Sequence, residues 1–321
     1  MSQDYPRLLG DIGGTNARWA WLAAPGAALQ DISERPCAAN ASLAESAAAY
    51  LADSGHHAPR WACIGIATPI TGDQVRMTNN DWAFSIAQLK QDLGVERCLV
   101  INDFTALAMS LTALGPADLR AIGGSTPLAR APIALLGPGT GLGVSGLLPE
   151  GTTGWSALSG EGGHVTLAPA DDEESAVLGA LRSRFGHVSA ERALSGPGLV
   201  NLCDALCAID GRTPTLLQPA DVAAAAMAGS DATAVRAVRL FASFLGNVAG
   251  NLALTLGARG GVYVGGGIVP KLGATFDDAL FRRRFEDKGR FASYLQPLPA
   301  WVITARTPAL LGAARALDLM A

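Results

Sequence analysis

The sequence predicts an α/β protein of two domains, on three observations. Short apolar runs ending in glycine or polar turns recur at 7–12, 17–23, 61–67, 98–102, 132–137, 142–148, 261–265 and 301–304. Between them lie alanine-rich stretches that read as helix, at 41–53, 84–93, 104–114, 220–228, 231–256 and 308–320. Strands interleaved with helices define the α/β class. The chain has 321 residues, 49% apolar and 16% charged, which is ample core material for two domains.

The first element, "LLGDIGGTNARWAWL" at 8–22, is an apolar strand, an aspartate, two glycines and a second apolar strand. Bare backbone at a glycine turn admits phosphate oxygens closely. An acid beside phosphate repels it unless a cation intervenes, so Asp11 points to a metal–nucleotide such as Mg·ATP. The bland alternative is a tight hairpin without a ligand. At 98–105, "CLVINDFT" delivers Asn102 and Asp103 to the carboxyl end of a strand, where α/β proteins place their sites. Asp103 is either a helix cap or a general base that accepts a proton from an attacking hydroxyl.

The segment 115–131, "GPADLRAIGGSTPLARA", reads as a crossing between the two halves, with few contacts through it. Beyond it, "ALLGPGTGLGVSGLL" at 134–148 echoes "RLLGDIGGTNARWAWL" at 7–22, each an apolar strand, a Gly/Thr turn and a second strand. Two such hairpins imply two related domains, each with a phosphate-gripping tip. Gly141, Gly143 and Gly146 spell a dinucleotide fingerprint, but it must open a helix, and strand and turn follow it instead. No Gly-x-x-x-x-Gly-Lys-Ser/Thr motif is present. In "GEGGHVTLA", Glu161 and His164 flank two glycines; Glu191 precedes "SGPG" and a helix. Carboxylates and an imidazole match the paired donors and acceptors of vicinal sugar hydroxyls. "GVYVGGGI" at 261–268 ends a strand in three glycines, against which a flat adenine or a ribose can lie.

The net charge of −4 argues against a sequence-independent nucleic-acid binder. The charge runs 171–174 and 282–284 read as solvated surface. No secretory signal and no uninterrupted apolar stretch of membrane-spanning length is seen. Five cysteines without a Cys-x-x-Cys read as reduced buried thiols, so the expected location is cytoplasmic, with no membrane and no nucleic-acid partner.

These residues, in this order, resemble the bacterial glucokinases of the hexokinase and actin-like ATPase superfamily, in the branch without the cysteine-rich zinc motif of repressor-type sugar kinases. The likeness runs through "GDIGGTNAR", "MTNNDWAFS", "INDFTALA", "LGPGTGLG", "GEGGHVTLAP", "ERALSGPGLVNL" and "GVYVGGGIVPK". It implies a two-lobed actin-like (ribonuclease H-like) fold with the active site in the interdomain cleft. The implied domains are 1–113 plus 303–321, and 114–302. It implies that Gly10, Asp11, Ile12, Gly13, Gly14 and Thr15 form one phosphate loop, and Gly137, Gly139 and Thr140 the other. Gly265 and Gly266 would back the adenosine, and Asp103 would be the base. Asn102, Asp103, Glu161, His164 and Glu191 would hold the sugar, and Asp11 would meet Mg²⁺ through water.

The expected activity is ATP-dependent phosphorylation of D-glucose at its 6-hydroxyl, the opening reaction of glycolysis, by a homodimer whose lobes close to exclude water. A mannose or fructose kinase would use the same carboxylates. A non-catalytic sugar sensor is disfavoured by the absence of a helix-turn-helix extension, and an actin-like ATPase by the Glu161/His164/Glu191 set.

Overall fold

A computed structural model of the chain describes residues 4–78 and 80–319. The chain divides into two compact units. Unit 1 takes the chain up to Gly115, the segment Glu150–Ser159 and the chain from Ala305 on; unit 2 takes Pro116–Pro149 and Gly160–Thr304.

Unit 1 is built on β1 (Arg7–Ile12), β2 (Asn16–Leu22), β3 (Gln30–Pro36) and β4 (Trp61–Ile66). A two-stranded ribbon follows, β5 (Gln74–Arg76) with β6 (Ala83–Ser85), and then β7 (Arg97–Asn102). The main sheet has the order β3-β2-β1-β4-β7. β1, β4 and β7 run parallel, β2 returns antiparallel to β1, and β3 pairs antiparallel with β2. Its core gathers Leu8, Trp19, Tyr50 and Ile64, all buried, and the Trp19 indole N–H donates to Ser46 at 3.1 Å. α1 (Leu43–Ser54) is capped by Ser42, and α2 (Ile86–Asp92) by Ser85.

α3 (Asp103–Ser110) is held by unusually close backbone approach. A Cβ on Gly65 of β4 would lie 3.0 Å from the Ala106 Cβ, and one on Gly312 of the C-terminal helix (Pro308–Leu319) only 1.6 Å from the Ala106 carbonyl oxygen. Neither position has room for a side chain, so both glycines set the depth of α3 in the unit. Residue 320, where the sequence-expected helix ended, lies outside the described residues.

Unit 2 carries β8 (Leu119–Gly123), β9 (Ile133–Pro138) and β10 (Leu142–Glu150). The unit 1 segment that follows holds β11 (Gly154–Ala157). Unit 2 resumes with α4 (Asp172–Phe185), α5 (Gly196–Ile209), α6 (Pro219–Ala228), α7 (Ala232–Leu256), β12 (Val262–Val264), α8 (Ile268–Leu272), α9 (Asp278–Glu286), α10 (Ala292–Leu295) and β13 (Ala300–Ile303). Its strands lie in the order β10-β9-β12-β13-β8. The echo between the two hairpins extends to topology, because each sheet starts with an antiparallel hairpin (β1/β2, β9/β10) and continues with parallel strands on the first strand's far side. α7 is long and apolar enough by composition to cross a membrane, yet most of it is buried in the core of unit 2 against Phe281 and Phe285.

Two sequence expectations are corrected. The segment 115–131 contains a 3-10 turn at Pro116–Asp118 and the strand β8, which pairs antiparallel with β13. β8 is an edge strand of only five residues interrupted by Arg120, so its apolar signal is weak. The charge runs 171–174 and 282–284 are solvated surface only in part: Asp171, Asp172 and Arg283 are exposed, while others turn inward. Glu174 is fully buried, and Arg284 donates through Nε to Ser243 at 2.9 Å and pairs with Asp171 and Glu174. Each run belongs to a helix end, and at its inward members, Glu174 and Arg284, burial and pairing replace hydration.

Candidate active site

The first hairpin turns between Ile12 and Asn16, with the Gly13 amide donating to the Asn16 carbonyl at 2.9 Å. Gly10 and Ile12 lie inside β1: Gly10 faces Trp19, whose ring a Cβ would meet at 2.8 Å, and Ile12 is fully buried. Gly14 and Thr15 sit at the tip, and the Thr15 carbonyl accepts the Cys37 amide at 2.8 Å. A Cβ on Gly13 would meet only the Asn16 carbonyl, at an ordinary 3.4 Å, and one on Gly139, in the second hairpin, would meet nothing. The fold therefore does not itself require glycine at either turn.

Asp11 is partly buried and its Oδ2 accepts from Arg18 Nη1 at 3.3 Å. Burial holds its carboxyl above the usual range despite that guanidinium. Parallel pairing places Asp11 beside Gly65 of β4, and Gly65 is close to the Asp103 backbone. Asp103 opens α3, but the cap is its neighbour: Asn102 Oδ1 accepts the amides of Phe104 at 2.9 Å and Thr105 at 3.3 Å. Asn102 Nδ2 donates to the Thr68 carbonyl at 3.4 Å, which leaves one amide proton for another acceptor. Asp103 Oδ1 accepts the Phe104 amide at 2.9 Å, and its own amide and the Asn102 side chain also favour its charged form. Burial first, and then the charge of Asp11, push the Asp103 carboxyl up to about 6.

In unit 2 one residue organises the acids. The Leu142 amide donates to Glu191 Oε2 at 2.8 Å, and the Leu142 carbonyl lies where a Cβ on Gly163 would fall, at 2.0 Å. Gly163 sits in the 3-10 turn Gly162–His164 that Glu161 precedes, and Glu191 in the turn Ala190–Arg192. The Ala190 amide donates to the Val165 carbonyl at 2.9 Å, so the two turns are laced together. Glu161 and His164 are exposed and Glu191 partly so. Glu191 meets the first residue of β10 directly, and the turn between Glu161 and His164 packs against the same residue through Gly163. In the second hairpin turn the Gly139 amide donates to the Gly141 carbonyl and the Gly196 amide to the Gly139 carbonyl, both at 2.8 Å.

Gly137 is buried in β9, and Thr140 is exposed at the tip. Gly265 donates to the Leu136 carbonyl at 2.8 Å. Gly266 has a φ of +75° and stands where a Cβ would lie 2.3 Å from the Pro138 carbonyl, so only glycine fits there. The triple glycine thereby rests on the end of β9.

The sequence reading missed Arg18, Glu34, Gly65, Leu142 and Gly163. For Arg18 a signal exists: a hairpin turning at 13–16 pairs residue 11 with residue 18. The others depend on contacts between distant segments.

Two Gly/Thr hairpins on sheets of matching topology, with a carboxylate at the end of β7, are the framework of a sugar kinase of the actin-like ATPase class. The sequence matches the glucokinase family over residues 8–320. A glucokinase from Aromatoleum aromaticum is 54% identical over 318 residues, covering 99% of this chain and 96% of its own. One from Chromobacterium violaceum is 50% identical over 314 residues, covering 98% and 90%. The crystal structure of glucokinase from an Antarctic psychrotroph aligns with a TM-score of 0.89 at 35% identity, over 98% of both chains. The chain belongs to the glucokinase family, and its reaction is the ATP-dependent phosphorylation of D-glucose.

Proposed function

We propose that Asp103 is the catalytic base of this reaction, accepting the proton of the glucose 6-hydroxyl as the γ-phosphoryl group arrives. The observation that carries this role is the Asp103 carboxyl itself: it is not the helix cap, and it is pushed up to about 6. Glu161, His164, Glu191 and the remaining amide proton of Asn102 bind the other hydroxyls and orient the sugar. Gly10, Asp11, Ile12, Gly13, Gly14 and Thr15 supply one phosphate loop, with backbone amides from its tip, and Gly137, Gly139 and Thr140 supply the other. Gly265 and Gly266 give the adenosine a flat backbone surface.

Asp11 suits a magnesium ion. One of its oxygens is held by Arg18 and the other makes no hydrogen bond among the described residues. Those residues also form no cluster of three or more His, Cys, Asp or Glu that would enclose a metal. A single carboxylate with water and substrate phosphates is the usual magnesium site. When bound, the ion neutralises charge on the β- and γ-phosphates.

The five cysteines are free, and four of them are buried, which supports a cytoplasmic enzyme. A homodimer completes the reading, and sedimentation equilibrium tests it. The central test is a hexose panel with Mg·ATP, following product by ³¹P NMR. Glucose 6-phosphate should form with the highest kcat/KM. Faster turnover of mannose or fructose would replace glucose as the substrate.

A further inference from the structure

Asp11, Arg18 and Glu34 stand side by side across three strands. β1 pairs Asp11 with Arg18, and β2 pairs Arg18 with Glu34. Directly opposed residues project from the same face of a sheet, so the three side chains form one lateral row. Arg18 Nη1 donates to Asp11 Oδ2 at 3.3 Å and Arg18 Nε to Glu34 Oε2 at 3.0 Å. Asn16 Nδ2 closes the row by donating to Glu34 Oε1 at 2.7 Å. The row runs inward from solvent, with side chains 50% exposed at Glu34, 36% at Arg18 and 15% at Asp11.

An exposed ion pair contributes about 0–1 kcal/mol, so stability alone gives the row little reason to exist. Its inner end is different. Asp11 is shielded from water, sits at the base of a glycine turn, and has Arg18 as its one ion-pair partner among the described residues. A guanidinium is a planar fork that holds two carboxylates at once, which an ammonium on a flexible stem does poorly.

We infer that Arg18 is a positioning residue for the metal–nucleotide: anchored by Glu34 and Asn16, it grips Asp11 Oδ2 and leaves Oδ1 free for hydrated Mg²⁺. The inference rests on the proposal that Asp11 meets the metal. Arg18 acts through Asp11 and not on the phosphates, and that distinction makes it testable.

The test is calorimetric titration with AMP-PNP, with and without Mg²⁺, on the wild type, Arg18→Met, Arg18→Lys and Glu34→Gln. Glucose affinity and the thermal midpoint serve as controls for folding. Loss of an outer partner of a metal ligand costs about 10–100-fold in metal affinity. Arg18→Met should therefore lose roughly that much of the Mg²⁺-supported affinity, with metal-free AMP-PNP and glucose binding within about twofold of wild type. Arg18→Lys should recover part of the loss, and Glu34→Gln should show a smaller one. Equal losses with and without Mg²⁺ would make Arg18 a direct phosphate ligand and overturn the inference, as would no loss at all. Wild-type binding that Mg²⁺ does not strengthen overturns the metal–nucleotide reading beneath it, and the inference with it.

Discussion

The Leu142 amide donates to Glu191 Oε2 at 2.8 Å, and this bond ties an acid of the proposed sugar site to the first residue after the second hairpin turn. Glu191 is fixed from its other end as well, because its carbonyl accepts the Ser195 hydroxyl at 2.8 Å at the start of α5. The carboxylate is seated on the Leu142 amide, and the neighbouring Gly141 keeps that seat open. A Cβ on Gly141 would lie 2.4 Å from Oε2.

Gly141→Ala should consequently push the Glu191 carboxylate off the Leu142 amide. A hydrogen bond to a charged group contributes about 1.5–3 kcal/mol, so the KM for glucose should rise by roughly one to two powers of ten. The KM for ATP should change much less. A glucose KM equal to wild type in a folded variant would show that Glu191 does not need this seat to bind sugar.

Asp103→Asn retains the side-chain shape and a hydrogen-bond acceptor for the Phe104 amide. Glucose binding should stay within about tenfold of wild type while turnover falls by roughly 10²–10⁴, the usual worth of a positioned acid–base group. Near-normal turnover would remove Asp103 from the base role.

The pH dependence follows from the same carboxyl. Asp103 works as the carboxylate, and its carboxyl is pushed up to about 6, so kcat/KM should fall as pH drops through about 6. The stability effect has the opposite sense. The folded-state pKa is above the ordinary carboxylate value, so the group stabilises the fold in its neutral form below about 4, and that contribution is lost as pH rises through about 6. A carboxamide at this position cannot ionise, so Asp103→Asn should raise the thermal midpoint at about pH 8 and have little effect at about pH 4. A wild-type acid limb at about pH 4 would contradict the raised pKa.

Much of the local architecture was legible because its signals are local. Each hairpin is two apolar runs around a Gly/Thr turn, and Asn102 and Asp103 stand where an apolar run stops. Which of the two caps α3 was not legible, since a cap is decided by backbone angles and not by residue type alone. Leu142 was invisible as an organiser of acids because only its backbone does the work, while its side chain reads as ordinary core. The helices α4 and α9 were obscured by their charge. Asp171 and Arg284 are 113 residues apart, and nothing near either shows that they meet.

That misread cluster supplies the last prediction. Glu174 is fully buried and accepts three donors: the Ala170 amide at 2.6 Å, the Ser243 hydroxyl at 2.5 Å, and Arg284 Nη2 at 3.3 Å. Removing the guanidinium leaves the two neutral donors but strands a buried negative charge, and breaking a buried pair from one side costs about 3–5 kcal/mol. Arg284→Met should therefore lower the denaturant midpoint substantially without changing the KM for glucose or ATP at temperatures where the variant is folded. Adding Glu174→Gln removes the stranded charge and keeps an acceptor for Ser243, so the double variant should be more stable than Arg284→Met alone. If the two losses simply add, the buried carboxylate was not relying on Arg284.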